Sequence, residues 1–138
     1  MEDLGKLAQD ISVLHRQFYK DMSDKYRDYS LNPTAACILL MIDENPEIIQ
    51  KDICDQLVID KALATREINK MSKLDYINKQ SGFGRTVKLS LGNTGERIAP
   101  EIRQLRQQWW SDKFKMTKVN ENSSLVEGIQ TVVDSIVK

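Results

Sequence analysis

Residues 49–91, IQKDICDQLVIDKALATREINKMSKLDYINKQSGFGRTVKLSL, change hydrophobic period once. That change limits what the chain can fold into more than any other feature. In the first part the apolar residues keep helical spacing: Ile53 and Leu57 lie four apart, then come Ile59, Leu63, Ile68, Met71 and Leu74. This predicts two short helices on one core, with a tight connection near Val58–Asp60. Asp60 stands where the second helix needs an N-cap, and Thr65, Arg66, Asn69 and Lys70 fall on its less apolar side. Asp75 follows that helix where glycine is common, and Asp tolerates left-handed backbone better than most residues. The pattern then shortens to two candidate strands, Tyr76–Lys79 and Thr86–Leu91. Ser81-Gly82-Phe83-Gly84 joins them, with glycines for the dihedrals of a reversal.

At 138 residues and 41% apolar, the chain is sized for one domain, residues 1–138. No apolar run approaches the roughly 18 residues of a membrane span, and Met1-Glu2-Asp3-Leu4 lacks the basic, apolar start of a signal peptide. The expectation is a soluble, cytoplasmic protein. Cys37 and Cys54 have no metal-ligand spacing and read as buried reduced thiols, ahead of a redox switch. One histidine, no Gly-rich phosphate loop and no motif around either cysteine give no catalytic constellation, so no enzyme, cofactor or metal is expected.

Net charge is zero, yet its distribution is uneven. From Lys61 to Lys88 seven basic residues (Lys61, Arg66, Lys70, Lys73, Lys79, Arg85, Lys88) face two acidic ones (Glu67, Asp75). That segment is therefore +5 and the remainder −5. Such a chain offers one face to phosphate while the rest stays repelled by it, which points to double-stranded DNA as the partner. The plainer reading is a solvated helix face with scattered lysines.

The flanking segments are helical. Leu4, Leu7, Ile11, Leu14 and Phe18 form a heptad-like stripe that Met22 and Tyr26 extend. Three heptads exceed what a small domain needs for its own core, so part of the stripe is expected to meet a second chain. Asn32-Pro33 reads as an N-cap with proline at the first helical position. The helix it opens, through about Asp43, holds Ala35, Ala36, Ile38, Leu39, Leu40 and Met41 and should be the buried centre; Asn45-Pro46 ends it. Asn93 with Glu96 resembles a capping box opening a long helix through Ile98, Ile102, Leu105 and Trp109 to about Met116, with Pro100 bending it. A last helix, Ser123–Val137, carries Leu125, Ile129, Val132, Val133 and Ile136, with little to pack on in a monomer except the N-terminal helix. The fold class is mainly α with a small β-hairpin wing (α+β): a winged helix-turn-helix of about six helices, whose terminal helices form a dimerisation region. Its DNA-binding part is about 32–92; the dimerisation helices are about 1–28 and 94–138.

The order and spacing of these elements resemble the multiple antibiotic resistance regulator (MarR) family over essentially the whole chain. The most specific stretch is Ile59-Asp60-Lys61 through Thr65-Arg66-Glu67-Ile68-Asn69-Lys70-Met71, similar to the family's recognition helix, continued by Tyr76-Ile77 and the wing to Arg85. The resemblance implies a homodimer that binds pseudo-palindromic operators, usually represses, and releases DNA on binding a small aromatic or carboxylate effector. Four positions depart from the family pattern. Phe83 replaces an aspartate two positions before Arg85, and the wing is about two residues shorter. Gly92 replaces a threonine, which moves the expected cap to Asn93. Ala64 replaces a valine.

A recognition helix enters the major groove N-terminus first and offers three or four side chains to base edges. Here these are Lys61, Ala62, Thr65, Arg66 and Asn69. Arg66 suits guanine, Asn69 adenine or a phosphate, and Ala62 or Leu63 a thymine methyl, although Leu63 is more often core. Lys70 and Lys73 suit phosphates. Arg85 suits a flanking minor groove, and Asn32 with Thr34 a phosphate clamp at a helix N-terminus. The dimer would set two recognition helices about 34 Å apart. Leu4, Leu7, Ile11, Leu125, Ile129 and Val132 are the expected dimer contacts. His15 and Trp109 are candidates for an effector cavity, each also readable as structural, and at most one of Trp109 and Trp110 can face such a space. A winged helix used only for protein contacts is the alternative to a DNA reader; it predicts an apolar or acidic recognition face.

Overall fold

The computed structural model describes residues 3–121 and 124–137. The expected first two residues of the N-terminal helix region, the start of the last helix at Ser123 and the final Lys138 lie outside them. Six helices and three strands follow in the order α1 (Lys6–Arg27), α2 (Pro33–Glu44), β1 (Ile48–Ile49), α3 (Gln50–Leu57), α4 (Lys61–Lys73), β2 (Ile77–Ser81), β3 (Val87–Leu91), α5 (Asn93–Thr117) and α6 (Ser124–Val137).

Helix α2 is the centre of the core. Asn32 caps it in extended backbone, its Oδ1 accepting from Ala35 N–H at 2.8 Å, and Pro33 follows at the first turn where no amide is needed. Ala35, Ala36, Ile38, Leu39, Leu40 and Ile42 are buried. Around them close Met22 and Tyr26 of α1, Ile53 of α3, Ala64, Ile68 and Met71 of α4, and Ile98, Ala99, Ile102 and Trp109 of α5. Arg103 fastens α5 to the end of α2, donating to Glu44 and Asp43 at 2.7 Å each.

The sheet runs β1-β3-β2, all antiparallel, with Ile48 opposite Leu89 and Ile77 opposite Leu91. Strand β1 has no counterpart in the sequence pattern. It is two residues long and exists because Glu47 N–H reaches Leu89 carbonyl at 3.0 Å after the Pro46 turn.

Helix α4 ends in a Schellman motif. Asp75 adopts φ 63°, its N–H reaches Ser72 carbonyl at 3.3 Å, and Tyr76 N–H reaches Met71 carbonyl at 2.9 Å. The same Asp75 corrects the expected start of α5. Asn93 is already helical and Gly92 holds the N-cap position, with no side chain of its own to cap. Asp75 supplies the cap from outside the helix: Thr94 donates to its carboxylate from N–H at 3.4 Å and from the hydroxyl at 3.2 Å. A threonine or asparagine at 92 has no room, since a Cβ there runs into the Asp75 carbonyl. Gly95 is as tightly placed, against the Tyr76 carbonyl. Pro100 lies inside α5, which continues through it.

Two surfaces stay open. On α1 the stripe divides: Met22 and Tyr26 are buried and Phe18 half-buried, while Leu4, Leu7, Ile11 and Leu14 are exposed. On α6 no described residue is buried, and Leu125, Ile129, Val132, Val133 and Ile136 face solvent. The helix reaches the body at α3, where Gln56 Nε2 donates to Val137 carbonyl at 3.5 Å. Among the described residues no helix is long and apolar enough to cross a membrane.

Candidate nucleic-acid interface

The turn between α3 and α4 is set by Val58, which takes left-handed backbone (φ 51°), and by Ile59 N–H on Cys54 carbonyl at 3.1 Å. Asp60 then stands at the N-cap of α4 as expected, with extended backbone, but its side chain makes no capping bond. Its carbonyl accepts from Ala64 N–H at 3.0 Å, and its charge still suits the positive end of the helix.

Helix α4 divides cleanly. Ala64, Glu67, Ile68 and Met71 face inward; Lys61, Ala62, Arg66, Asn69, Lys70 and Lys73 are exposed; Leu63, Thr65 and Ser72 lie between. The exposed set places Arg66, Lys70 and Lys73 along one face, with Lys61 exposed at the first turn, none of them buried by the fold. Two neighbours tune it. Gln50 Nε2 donates to Thr65 Oγ1 at 2.8 Å. Lys79 Nζ, on β2, donates to Asn69 Oδ1 at 2.7 Å and so joins the wing to the outer face of α4.

Glu67 is 3% exposed, the one buried charged residue among those described. Its Oε2 accepts from Asn32 Nδ2 at 3.1 Å, and its Oε1 lies 3.5 Å from Lys70 Nζ and 3.8 Å from Arg66 Nε. Asn32, expected at a phosphate clamp, is thus half-buried with both ends of its amide engaged inside the fold. Thr34 beside it is half-buried too. The sequence did carry a signal for Glu67: it falls on the Ala64–Ile68–Met71 stripe at helical spacing. Gln50 and Lys79 have no such local mark, since each meets α4 from another element.

Strands β2 and β3 form the wing. Gly82 N–H donates to Thr86 carbonyl at 2.9 Å, and Thr86 returns to the Phe83 carbonyl with its hydroxyl at 2.7 Å and its N–H at 3.3 Å. Of the two turn glycines only Gly84 takes left-handed backbone, at φ 68°. Arg85 is exposed beside it.

Trp109, a candidate for an effector cavity, stands beside Trp110 on α5. It is the buried member of the pair: its Nε1 donates to Asp21 at 2.9 Å and its ring meets Phe18 edge-on at 5.1 Å. That indole bond, more than Gln17, holds the Asp21 carboxyl below the usual carboxylate range. Adjacent helical residues diverge by about 100°, so Trp110 is the exposed one, stacked toward Phe114. His15 is exposed and meets Tyr19 edge-on. An open cleft lies elsewhere, lined by Cys54, Asp55, Val58, Ile59, Ile136 and Val137. Burial pushes both thiols up, Cys37 against the opposing pull of Arg106 and Cys54 with help from Asp55 and Asp60; both effects disfavour thiolate.

Comparison with known proteins agrees with this architecture. Residues 29–82, from the turn after α1 through β2, match the sequence model of the MarR family. The HTH-type transcriptional regulator SarZ of Staphylococcus epidermidis is 23% identical over 123 residues, covering 88% of this chain and 82% of SarZ. The HTH-type transcriptional regulator BilQ of Clostridioides difficile is 24% identical over 130 residues, 93% of this chain and 88% of BilQ. A MarR-family transcriptional regulator from Listeria monocytogenes, solved in complex with a 26mer DNA, superposes with a TM-score of 0.81 at 24% identity, covering 99% of this chain and 91% of its own. The winged helix, the helices around it and these likenesses converge: the chain has a winged helix-turn-helix fold similar to that of MarR-family transcriptional regulators, and residues 29–82 match that family's sequence model.

Proposed function

We propose that this regulator binds pseudo-palindromic duplex operators as a homodimer and represses transcription until a small aromatic or carboxylate effector releases it. The observation that carries the reading is the outer face of α4. Arg66, Lys70 and Lys73 stand exposed on one side of a helix whose other side is core, and Lys61 is exposed at its first turn. Arg66 and Asn69, with Ala62, are placed to read base edges, and Lys61, Lys70 and Lys73 to hold phosphates. Thr65 adds a hydroxyl whose acceptor side is already taken by Gln50. Arg85 at the wing would enter the flanking minor groove. Asn32 contributes from behind, by holding α4 through Glu67, and Thr34 lies at the same helix N-terminus.

The single-domain layout follows: 32–92 reads DNA, while about 1–28 and 94–138 carry dimerisation. Leu4, Leu7, Ile11, Leu125, Ile129 and Val132 are exposed apolar residues on helices that a second copy would cover. An effector near His15 and the Trp109–Trp110 turn of α5 would meet Trp110 and Phe114, with Trp109 as a packed wall. The site of action is the cytoplasm, where the DNA is. The Listeria relative, crystallised on a 26mer, supports the DNA partner by analogy.

Selection of the purified protein on random duplex DNA across a salt series tests this. Enrichment of an inverted repeat with half-sites about ten base pairs apart, with affinity falling steeply in salt, is the expected result. No enrichment, with weak binding to any duplex, would refute it in favour of a winged helix used for protein contacts.

A further inference from the structure

Phe83 is 97% exposed, at the tip of the wing. A phenyl ring in water is an apolar surface with no folding role, and here nothing in the fold touches it. Its position is nonetheless defined. Thr86 holds the Phe83 carbonyl with both its hydroxyl and its N–H, and Gly84 reverses the chain just beyond. Backbone bonds thus tie the Phe83 carbonyl into the turn while the ring is left projecting. The charge around it is of one sign: from Lys79 to Lys88 the wing carries Lys79, Arg85 and Lys88 and no acidic residue. A carboxylate at the tip would be repelled by phosphate; a ring is not. An apolar side chain between cations on a narrow hairpin matches the chemistry of minor-groove wedges, which press an apolar group against a base step and loosen its stacking.

We propose that Phe83 is a specificity-determining residue: its ring presses on the floor of the minor groove flanking each half-site and selects easily unstacked, A·T-rich steps there, while Arg85 anchors the wing beside it. The inference rests on the DNA-binding reading above. Flexible pyrimidine–purine steps yield most readily to a wedge, so the preference is expected at positions that α4 does not touch.

The test repeats the duplex selection with Phe83→Ala, Phe83→Leu and Arg85→Ala in the full chain, after thermal unfolding confirms that each exposed substitution leaves the fold intact. Phe83→Ala should lose the flanking-step preference, keep the half-site core and bind the wild-type operator about tenfold more weakly, with an unchanged salt slope. Phe83→Leu should keep most of the preference. Arg85→Ala should instead lower the salt slope by about one. Phe83→Ala with wild-type affinity and flanking preference would overturn the inference and leave the ring to a protein partner. Failure of the wild-type protein to select any operator would overturn the DNA reading itself, a distinct outcome.

Discussion

Removing the Glu67 carboxylate should weaken the fold and tighten its grip on phosphate, and the structure sets both magnitudes. Glu67 is buried, and its one short partner is Asn32 Nδ2 at 3.1 Å. A hydrogen bond to a charged acceptor contributes about 1.5–3 kcal/mol. Glu67→Ala loses that bond and strands an amide, but Asn32 is only half-buried and water can reach it. The expected loss is therefore about 2 kcal/mol. With an m-value near 1–3 kcal/mol/M in urea, the midpoint should fall by about 1 M. Glu67→Gln keeps an acceptor for Asn32 and should cost about 1 kcal/mol. Its larger effect is on binding. Lys70 Nζ lies 3.5 Å from the carboxylate, so a phosphate held about 3 Å beyond the ammonium stands roughly 6–7 Å from it. At the dielectric of water that repulsion is about 0.6 kcal/mol, or roughly threefold in Kd. Urea unfolding followed by circular dichroism, and operator binding by fluorescence anisotropy at low salt, measure the two effects. An unchanged midpoint in Glu67→Ala, or Glu67→Gln binding no tighter than wild type, would refute the reasoning.

Tyr26 is fully buried and its hydroxyl finds no hydrogen-bond partner among the described residues; burial pushes its pKa up to about 12 from 10. Because the folded state holds the proton more tightly, stability is complete below pH 10 and lost as pH rises toward 12, by roughly 2–3 kcal/mol. Tyr26→Phe should abolish that alkaline loss in urea titrations at pH 9 and 11, and should cost nothing at pH 7; a destabilised phenylalanine variant would count against an unpartnered hydroxyl. Gly95→Ala drives a Cβ into the Tyr76 carbonyl and should destabilise by about 2 kcal/mol or more despite alanine's helix preference. Gly128→Ala in α6 meets nothing and should stabilise by about 0.5–1 kcal/mol; differential scanning calorimetry of the pair separates sterics from propensity. In DNA binding, Arg66→Ala should relax base preference at one operator position at a cost of about 1–3 kcal/mol, whereas Lys73→Ala should weaken all sequences alike and lower the salt slope by about one. Equal behaviour of the two variants would break the division of α4 into readers and phosphate contacts.

What could be read in the sequence was what neighbours along the chain decide. The Asn32-Pro33 cap, the apolar centre in α2, the left-handed Asp75 and the period change at the wing all rest on residues within one or two turns of each other. The rest depends on elements distant in sequence. Strand β1 is two residues whose pairing is dictated by Leu89, not by its own composition. The cap of α5 comes from Asp75, 19 residues before Thr94, so a local search settles on Asn93 instead. Trp109 falls on the Ile98–Ile102–Leu105 stripe, but the partners that hold it, Asp21 and Phe18 on α1, cannot be read from that spacing. The outer face of α4 lies between these cases. Its cations were countable and Glu67 fell on the Ala64–Ile68–Met71 stripe, but its partner there, Asn32, is known only once α2 is placed behind it. Asn32 looked free for a ligand for the same reason.

Asp75 has a consequence for how this regulator can change. By stopping α4 with its backbone and starting α5 with its carboxylate, it brings residues 75 and 94 within hydrogen-bond reach at the root of the wing. The Gly92 N–H on Tyr76 carbonyl at 2.9 Å repeats the join one step further in. The hairpin between them is an excursion that leaves and returns through one knot. Its length can drift without the recognition helix or the long α5 registering it, because closing a loop of slightly different size changes the free energy little. A change in wing length is then cheap variation at the tip of a fixed frame. Wings could be exchanged between regulators at this root as interchangeable parts, provided that Asp75, Gly92 and Thr94 travel with the frame.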